Sequence, residues 1–243
     1  MNPNFKRKVK KETLQSKALQ DEKELLVSFP PNYDEHQQYP VLLLHDGDDY
    51  FYMGRIVTQA NALIHQGQLQ PFLIIGLPVN KKQRNQEYSP LGNRHQQHLQ
   101  FLADELIPYI QRNIPAADFS PDNWVIGGSS LGGTISLHFA LAYPNLCKRL
   151  LLQSCAFLAP SLEQIKNAPS LEQLNIYQSI GKDETSVPTS LGALDFLSQN
   201  RKAYRLLCDK HATVHYIESE GEHTWRLWQQ DLPQALSYFF NFQ

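Results

Sequence analysis

The 243-residue sequence has three cysteines, two methionines, almost no net charge and no apolar run long enough to cross a bilayer. Cys147, Cys155 and Cys208 are odd in number and lack metal-ligand spacing, which argues against a disulfide framework and a zinc centre and fits a reduced, cytoplasmic setting. Met1 to Arg7 contain no apolar stretch of the kind that directs secretion, so an intracellular protein that does not engage membranes is expected. The 22 Lys+Arg nearly cancel the 24 Asp+Glu, leaving no global field to recruit nucleic acid. The basic cluster Lys6-Arg-Lys-Val-Lys-Lys11 reads as a solvated strand edge. No internal repeat, low-complexity tract or linker divides the chain. A single domain over residues 1–243 is therefore expected, with 42% hydrophobic residues to fill its core.

What is present is a persistent alternation. Lys23 to Phe29, Pro40 to His45, Pro71 to Gly76, Leu150 to Ser154, Asn175 to Ile180 and Thr213 to Glu218 read as strands. Between and after them, Gly54 to Gln66, His95 to Arg112 with a kink at Pro108, Ser161 to Ala168, Ser190 to Lys210 and a final segment carrying Trp225, Trp228, Leu232, Ala235 and Phe239 read as helices. Val79 to Gly92 reads as a long polar loop. The pattern predicts an α/β fold with a mostly parallel sheet, helices on both faces and functional groups at the C-terminal strand ends. No large lid insertion is visible between Leu150 and Asn175.

The centre of this arrangement is Trp124-Val-Ile-Gly-Gly-Ser-Ser-Leu-Gly-Gly133, where an apolar strand turns abruptly into an apolar helix. Gly128-Ser-Ser-Leu-Gly132 is G-x-S-x-G, with Ser130 at the middle. So sharp a turn strains the serine backbone and crowds the positions two residues to either side, which explains the glycines. It also raises the Ser130 hydroxyl above the sheet and aims the amide of Leu131 at whatever binds there. Ser129 lacks a glycine two positions on.

A serine hydroxyl needs a base, usually a histidine oriented by a carboxylate. His223 follows the last strand within Glu218-Ser-Glu-Gly-Glu-His223, where Gly221 permits a turn. The acid is expected after the strand ending at Ile180, in Gly181-Lys-Asp-Glu184. Its spacing from Gly181 and from Val187-Pro188 favours Glu184, with Asp183 as the alternative. A second oxyanion donor is expected from the amide of Asp48. Asp46, Asp48 and Asp49 lack an EF-hand spacing, so neither a metal nor a cofactor is expected.

These residues carry a resemblance. Phe29-Pro-Pro-Asn-Tyr33, Pro40-Val-Leu-Leu-Leu-His-Asp-Gly47, Arg84-x-x-Glu-Tyr-Ser-Pro90, Gly128-Ser-Ser-Leu-Gly-Gly133 and Gly221-Glu-His-Thr-Trp-Arg-Leu-Trp228 make the chain similar to an esterase family. That family includes enterochelin esterases, esterase D, feruloyl esterases and the antigen 85 mycolyltransferases. The last stretch, followed by Leu232-Pro-Gln-Ala-Leu236, resembles the catalytic domain of enterochelin-esterase-type enzymes most. The resemblance implies an α/β-hydrolase fold, Ser130 as nucleophile, His223 as base, and Arg84 and Glu87 near the site, either as substrate contacts or as a structural ion pair fixing the long loop. Bacterial enterochelin esterases carry a further N-terminal domain, so the resemblance does not itself imply a siderophore substrate. The expected activity is hydrolysis of a small-molecule carboxylic ester. The rivals are acyl transfer by the same triad to an alcohol, and a non-catalytic binding protein on the same fold.

Overall fold

The computed structural model describes residues 9–242, so Met1 to Lys8, including the start of the basic cluster, lie outside the described residues. In chain order the elements are β1 (Val9–Ser16), β2 (Asp21–Ser28), β3 (Tyr39–His45), α1 (Gly47–Tyr52), α2 (Ile56–His65), β4 (Leu73–Leu77) and α3 (Arg84–Tyr88). There follow α4 (His95–Gln100), a π-helical turn (Phe101–Leu106), α5 (Ile107–Asn113), β5 (Ala117–Asp118), β6 (Trp124–Ser129), α6 (Leu131–Ala142), β7 (Arg149–Gln153) and α7 (Ala159–Asn167). The chain ends with β8 (Asn175–Gly181), β9 (Val187–Thr189), β10 (Gly192–Leu194), α8 (Phe196–Asp209), β11 (Thr213–Ser219) and α9 (Trp225–Phe240).

The main sheet runs in the order β1-β2-β4-β3-β6-β7-β8-β11, with β5 paired to β3. β1 and β2 are antiparallel to their neighbours, and the pairs from β4 to β11 are parallel. The central strands β3, β4, β6 and β7 are apolar runs because both their faces are covered. Along β3, Val41 and Leu43 enter one hydrophobic core while Leu42 and Leu44 enter the other. Leu150 and Leu152 oppose Leu151 in the same way on β7. α6 packs in the first core, and α2 and α9 pack in the second. β1 is an edge strand exposed along most of its length, and its lysines at positions 10 and 11 stand in solvent.

Two helix expectations change. The helix expected from His95 to Arg112 is interrupted by the π turn a step before Pro108, which has no N–H to donate and whose ring would strike the Asp104 carbonyl in a continuous α-helix. The helix expected from Ser190 begins only at Phe196. Gly192 holds φ at +97° inside a β9–β10 hairpin, and Asp195 caps the true helix start by accepting from Ser198 N at 2.8 Å.

Behind α6 lies a buried polar cluster. Glu87, without exposed side-chain surface, accepts from Lys23 at 2.9 Å and from His98 Nδ1 at 3.1 Å, and pairs with Arg94 at 3.4 Å. His95 Nε2 lies 3.0 Å from His138 Nδ1, and His138 Nε2 lies 2.9 Å from Ser161 Oγ. Burial lowers the pKa of His95 from the ordinary 6.5 to about 4 and of His138 to about 3, and also lowers those of His45 and His98. Burial works against the Glu87 charge, but His98 and Lys23 outweigh it and hold that pKa at about 2. Below pH 6.5 the unfolded histidines therefore take up protons that the folded ones refuse, and below the ordinary carboxylate range unfolded Glu87 does the same. Stability must fall as pH falls, by about 1.4 kcal/mol per pH unit for each such histidine until its folded value is reached. Urea unfolding midpoints are expected to drop steeply between pH 6.5 and 4.5; a flat profile would contradict neutral buried histidines.

Candidate active site

The elbow has the geometry its glycines imply. Ser130 sits at φ 55°, ψ −124°, between β6 and α6, a conformation that side chains rarely adopt. A Cβ on Gly128 would lie 2.6 Å from the Gly132 carbonyl carbon, so the chain can pass itself here only without a side chain. The Ser130 N–H is held by Gln153 O at 2.9 Å. The Leu131 amide is the first of α6 and has no partner within the helix.

A second close approach brings His223 and Glu184 together. Gly181, ending β8, and Gly221, after β11, are so near that a Cβ on Gly181 would lie 2.2 Å from Gly221 O. Lys182 N donates to Ser219 O at 2.8 Å and Asp183 N to Gly221 O at 3.1 Å, zipping the two loops together. In consequence His223 Nδ1 donates to Glu184 Oε2 at 2.6 Å. Glu184 is 1% exposed, and its other oxygen accepts from Ser154 Oγ at 2.6 Å and Gly181 N at 2.9 Å. Asp183 is exposed on the outer side of the same loop.

Sequence reasoning missed three further parts of this arrangement. Trp228 Nε1 donates to Ser154 Oγ at 2.8 Å, completing a chain from α9 through the residue after β7 to the carboxylate. Its ring also meets His223 edge to face at 4.9 Å, and Phe196 does so at 5.0 Å. Trp228 belonged to a helical stripe that reads as core, and Ser154 was visible only as the end of a strand. Ser154 carries a positive φ of 44°, a strain that no residue pattern announces.

Ser130, Leu131 and His223 line one cavity of about 420 Å³. Arg84 lines it too, fixed by donating from Nε and Nη2 to Asp46 Oδ1 and Oδ2 at 2.7 and 2.8 Å. One expected site residue is elsewhere. Glu87 is sealed in the cluster behind α6, saturated by Lys23, His98 and Arg94, and cannot contact substrate. Asp48 is not among the cavity walls. It stands beside Lys81, whose Nζ is 2.6 Å from Asp49, 3.7 Å from Asp48 and 3.9 Å from Asp46. Because Lys81 and Arg84 already neutralise these carboxylates, chelation by EDTA is expected to leave hydrolysis unchanged. Loss of activity with recovery on adding calcium would turn the cluster into a metal site.

The family described as "Putative esterase" matches residues 16–239 of the chain. The chain belongs to that esterase family. It is a carboxylic ester hydrolase with an α/β-hydrolase fold. Among similar proteins, the Uncharacterized protein YjcH of Bacillus subtilis (strain 168) is 36% identical over 223 residues, 91% of this chain and 92% of that protein. The Iron(III) enterobactin esterase of Dickeya dadantii (strain 3937) is 28% identical over 132 residues, 54% of this chain and 29% of that protein. A solved ferulic acid esterase superposes with a TM-score of 0.83 at 18% identity, over 98% of this esterase and 99% of that chain. The enterobactin esterase FES from Shigella flexneri gives 0.79 at 20% identity, over 98% of this esterase and 61% of that chain. Among the described residues no helix is long and apolar enough to cross a membrane.

Proposed function

We propose that this esterase works through an acyl-enzyme on Ser130, as a single unit acting in the cytoplasm on a small-molecule ester. The observation that carries the reading is the 2.6 Å contact from His223 Nδ1 to a buried Glu184, with His223 and Ser130 in the walls of one cavity. Ser130 Oγ attacks the ester carbonyl carbon and its proton passes to His223 Nε2, leaving imidazolium opposite the Glu184 carboxylate. The carbonyl oxygen takes the negative charge and accepts from the Leu131 amide at the start of α6. When the carbon–oxygen bond to the alcohol breaks, His223 returns the proton to the departing oxygen. Water then repeats the sequence and releases the acid. Arg84, held rigidly by Asp46, presents its guanidinium in the cavity wall as a donor to oxygen atoms of the substrate.

The test pairs a fluorophosphonate probe with an ester panel running from short p-nitrophenyl acyl esters to aromatic and siderophore-like ones. Stoichiometric labelling together with hydrolysis of part of the panel is expected. Native protein that neither labels nor hydrolyses any ester would leave a binding protein on the hydrolase fold. Product partitioning towards added alcohols in preference to water would make it an acyltransferase.

A further inference from the structure

The cavity beside Ser130 has two chemically different walls. One comes from α3 and the loop after it, with Arg84, Asn85, Gln86 and Ser89. The other is apolar and has an unusual origin. Besides the two cores that flank the sheet, the described residues form a third hydrophobic cluster, and Leu131, Ala156, Val187, Leu194 and Phe196 of that cluster are themselves cavity walls. It is a core left open on the side facing the nucleophile and the base, and burial of further apolar surface there is favourable.

The β9–β10 hairpin builds the outer part of this wall. Val187 and Leu194 root it in the cluster, while Leu191 at its tip lines the cavity and yet is 57% exposed. Leu91, on the opposite rim, is likewise a cavity wall and 61% exposed. The two rims approach where Asn85 Nδ2 lies 3.5 Å from Ser190 Oγ. Large apolar side chains bordering a cavity but open to water are suited to cover a ligand that extends past its mouth. Among the described residues, Phe196 is the only aromatic ring other than the His223 imidazole in these walls, and it is engaged edge to face with that imidazole. Among the described residues the walls present no face pair between which an aromatic ring would stack, and they contain no carboxylate to favour a cationic substrate.

We infer that the 187–194 hairpin is the specificity element of this esterase and selects esters with an extended aliphatic portion, Leu191 and Leu91 gripping the part that emerges from the cavity. The inference rests on the ester-hydrolase reading and adds the substrate class. The neutral and cationic polar groups of the α3 wall then face the oxygen-bearing remainder of the molecule, so neutral or anionic amphipathic esters are favoured.

The experiment measures kcat/KM for p-nitrophenyl acetate, butyrate, octanoate and benzoate, and for ethyl, butyl and octyl acetate followed by acid release. Wild type, Leu191→Ser, Leu91→Ser and, as a remote control, Leu146→Ser are compared, with thermal melts to verify folding. In at least one series wild type is expected to favour the eight-carbon ester, with octanoate ahead of benzoate if that series is the acyl one. Leu191→Ser should lower the eight-carbon to two-carbon ratio by about tenfold, Leu91→Ser should lower it in the same direction, and Leu146→Ser should leave it unchanged. An unchanged ratio in both leucine variants across both series, or a wild type that favours the eight-carbon ester in neither series, would overturn the inference while short-ester turnover kept the hydrolase reading intact. Absence of turnover on every ester would instead remove the reading beneath it.

Discussion

Replacing Ser130 by alanine is expected to lower kcat by about three orders of magnitude or more and to abolish fluorophosphonate labelling, with little change in melting temperature. The size of the effect follows from the site. Among the described residues, Ser130 is the cavity hydroxyl carried on a strained turn between a strand end and the first amides of a helix, in the same cavity as the only histidine that contacts Glu184. The remaining cavity serines, Ser89 and Ser190, belong to the rims. The backbone strain at φ 55° is a property of the turn and persists with alanine, so stability is nearly unaffected. Ser129 is 2% exposed and precedes the turn, so Ser129→Ala should keep most of the activity. If Ser129→Ala were the inactive variant and Ser130→Ala the active one, the nucleophile would be misassigned by one residue.

Glu184→Gln is expected to reduce kcat by about two orders of magnitude or more, whereas Asp183→Asn should be mild. Both Glu184 oxygens are used as acceptors, one by His223 Nδ1 and the other by Ser154 Oγ and Gly181 N. An amide can supply only one acceptor oxygen, so its NH2 must face a donor on one side. Either the imidazole loses the tautomer that leaves Nε2 free to take a proton, or the loop that holds it is disturbed. Asp183 joins the loop zipper through its backbone N–H, and its exposed carboxylate plays no part in that contact. Steady-state kinetics on both variants decide the matter. A crippled Asp183→Asn beside a healthy Glu184→Gln would reverse the roles, and two healthy variants would mean that the histidine is oriented from elsewhere.

The parallel strands were legible because a strand covered on both faces must be an apolar run, as at Pro40 to His45 and Leu150 to Gln153. The elbow was legible for a local reason: strand, strained serine and crowding-relief glycines all lie within ten residues. Other features were hidden by distance along the chain. Glu87 entered as a candidate substrate contact through the family resemblance, but it is buried against His98 and Arg94 and against Lys23, which is 64 residues away. The hairpin at 187–194 was absorbed into an expected helix because Ser190 to Lys210 contains mostly helix-compatible residues. A strand pair of three residues each is too short to impose its own periodicity, and its side chains gain their role only against Ala156 and Phe196.

By itself the sequence determined the order of the central parallel strands and the longer helices between them, the turn carrying Ser130, and a loop position for His223, because each follows from backbone sterics and hydrophobic period within one short segment. Only the tertiary structure set Glu184 against His223 and left Asp183 in solvent, buried Glu87 away from the cavity, and opened an apolar cluster onto the cavity. Adjacent carboxylates on one loop are chemically alike in sequence. They become different when Gly181 packs against Gly221, because that contact turns one towards Ser154 and His223 in the protein interior and leaves the other in water.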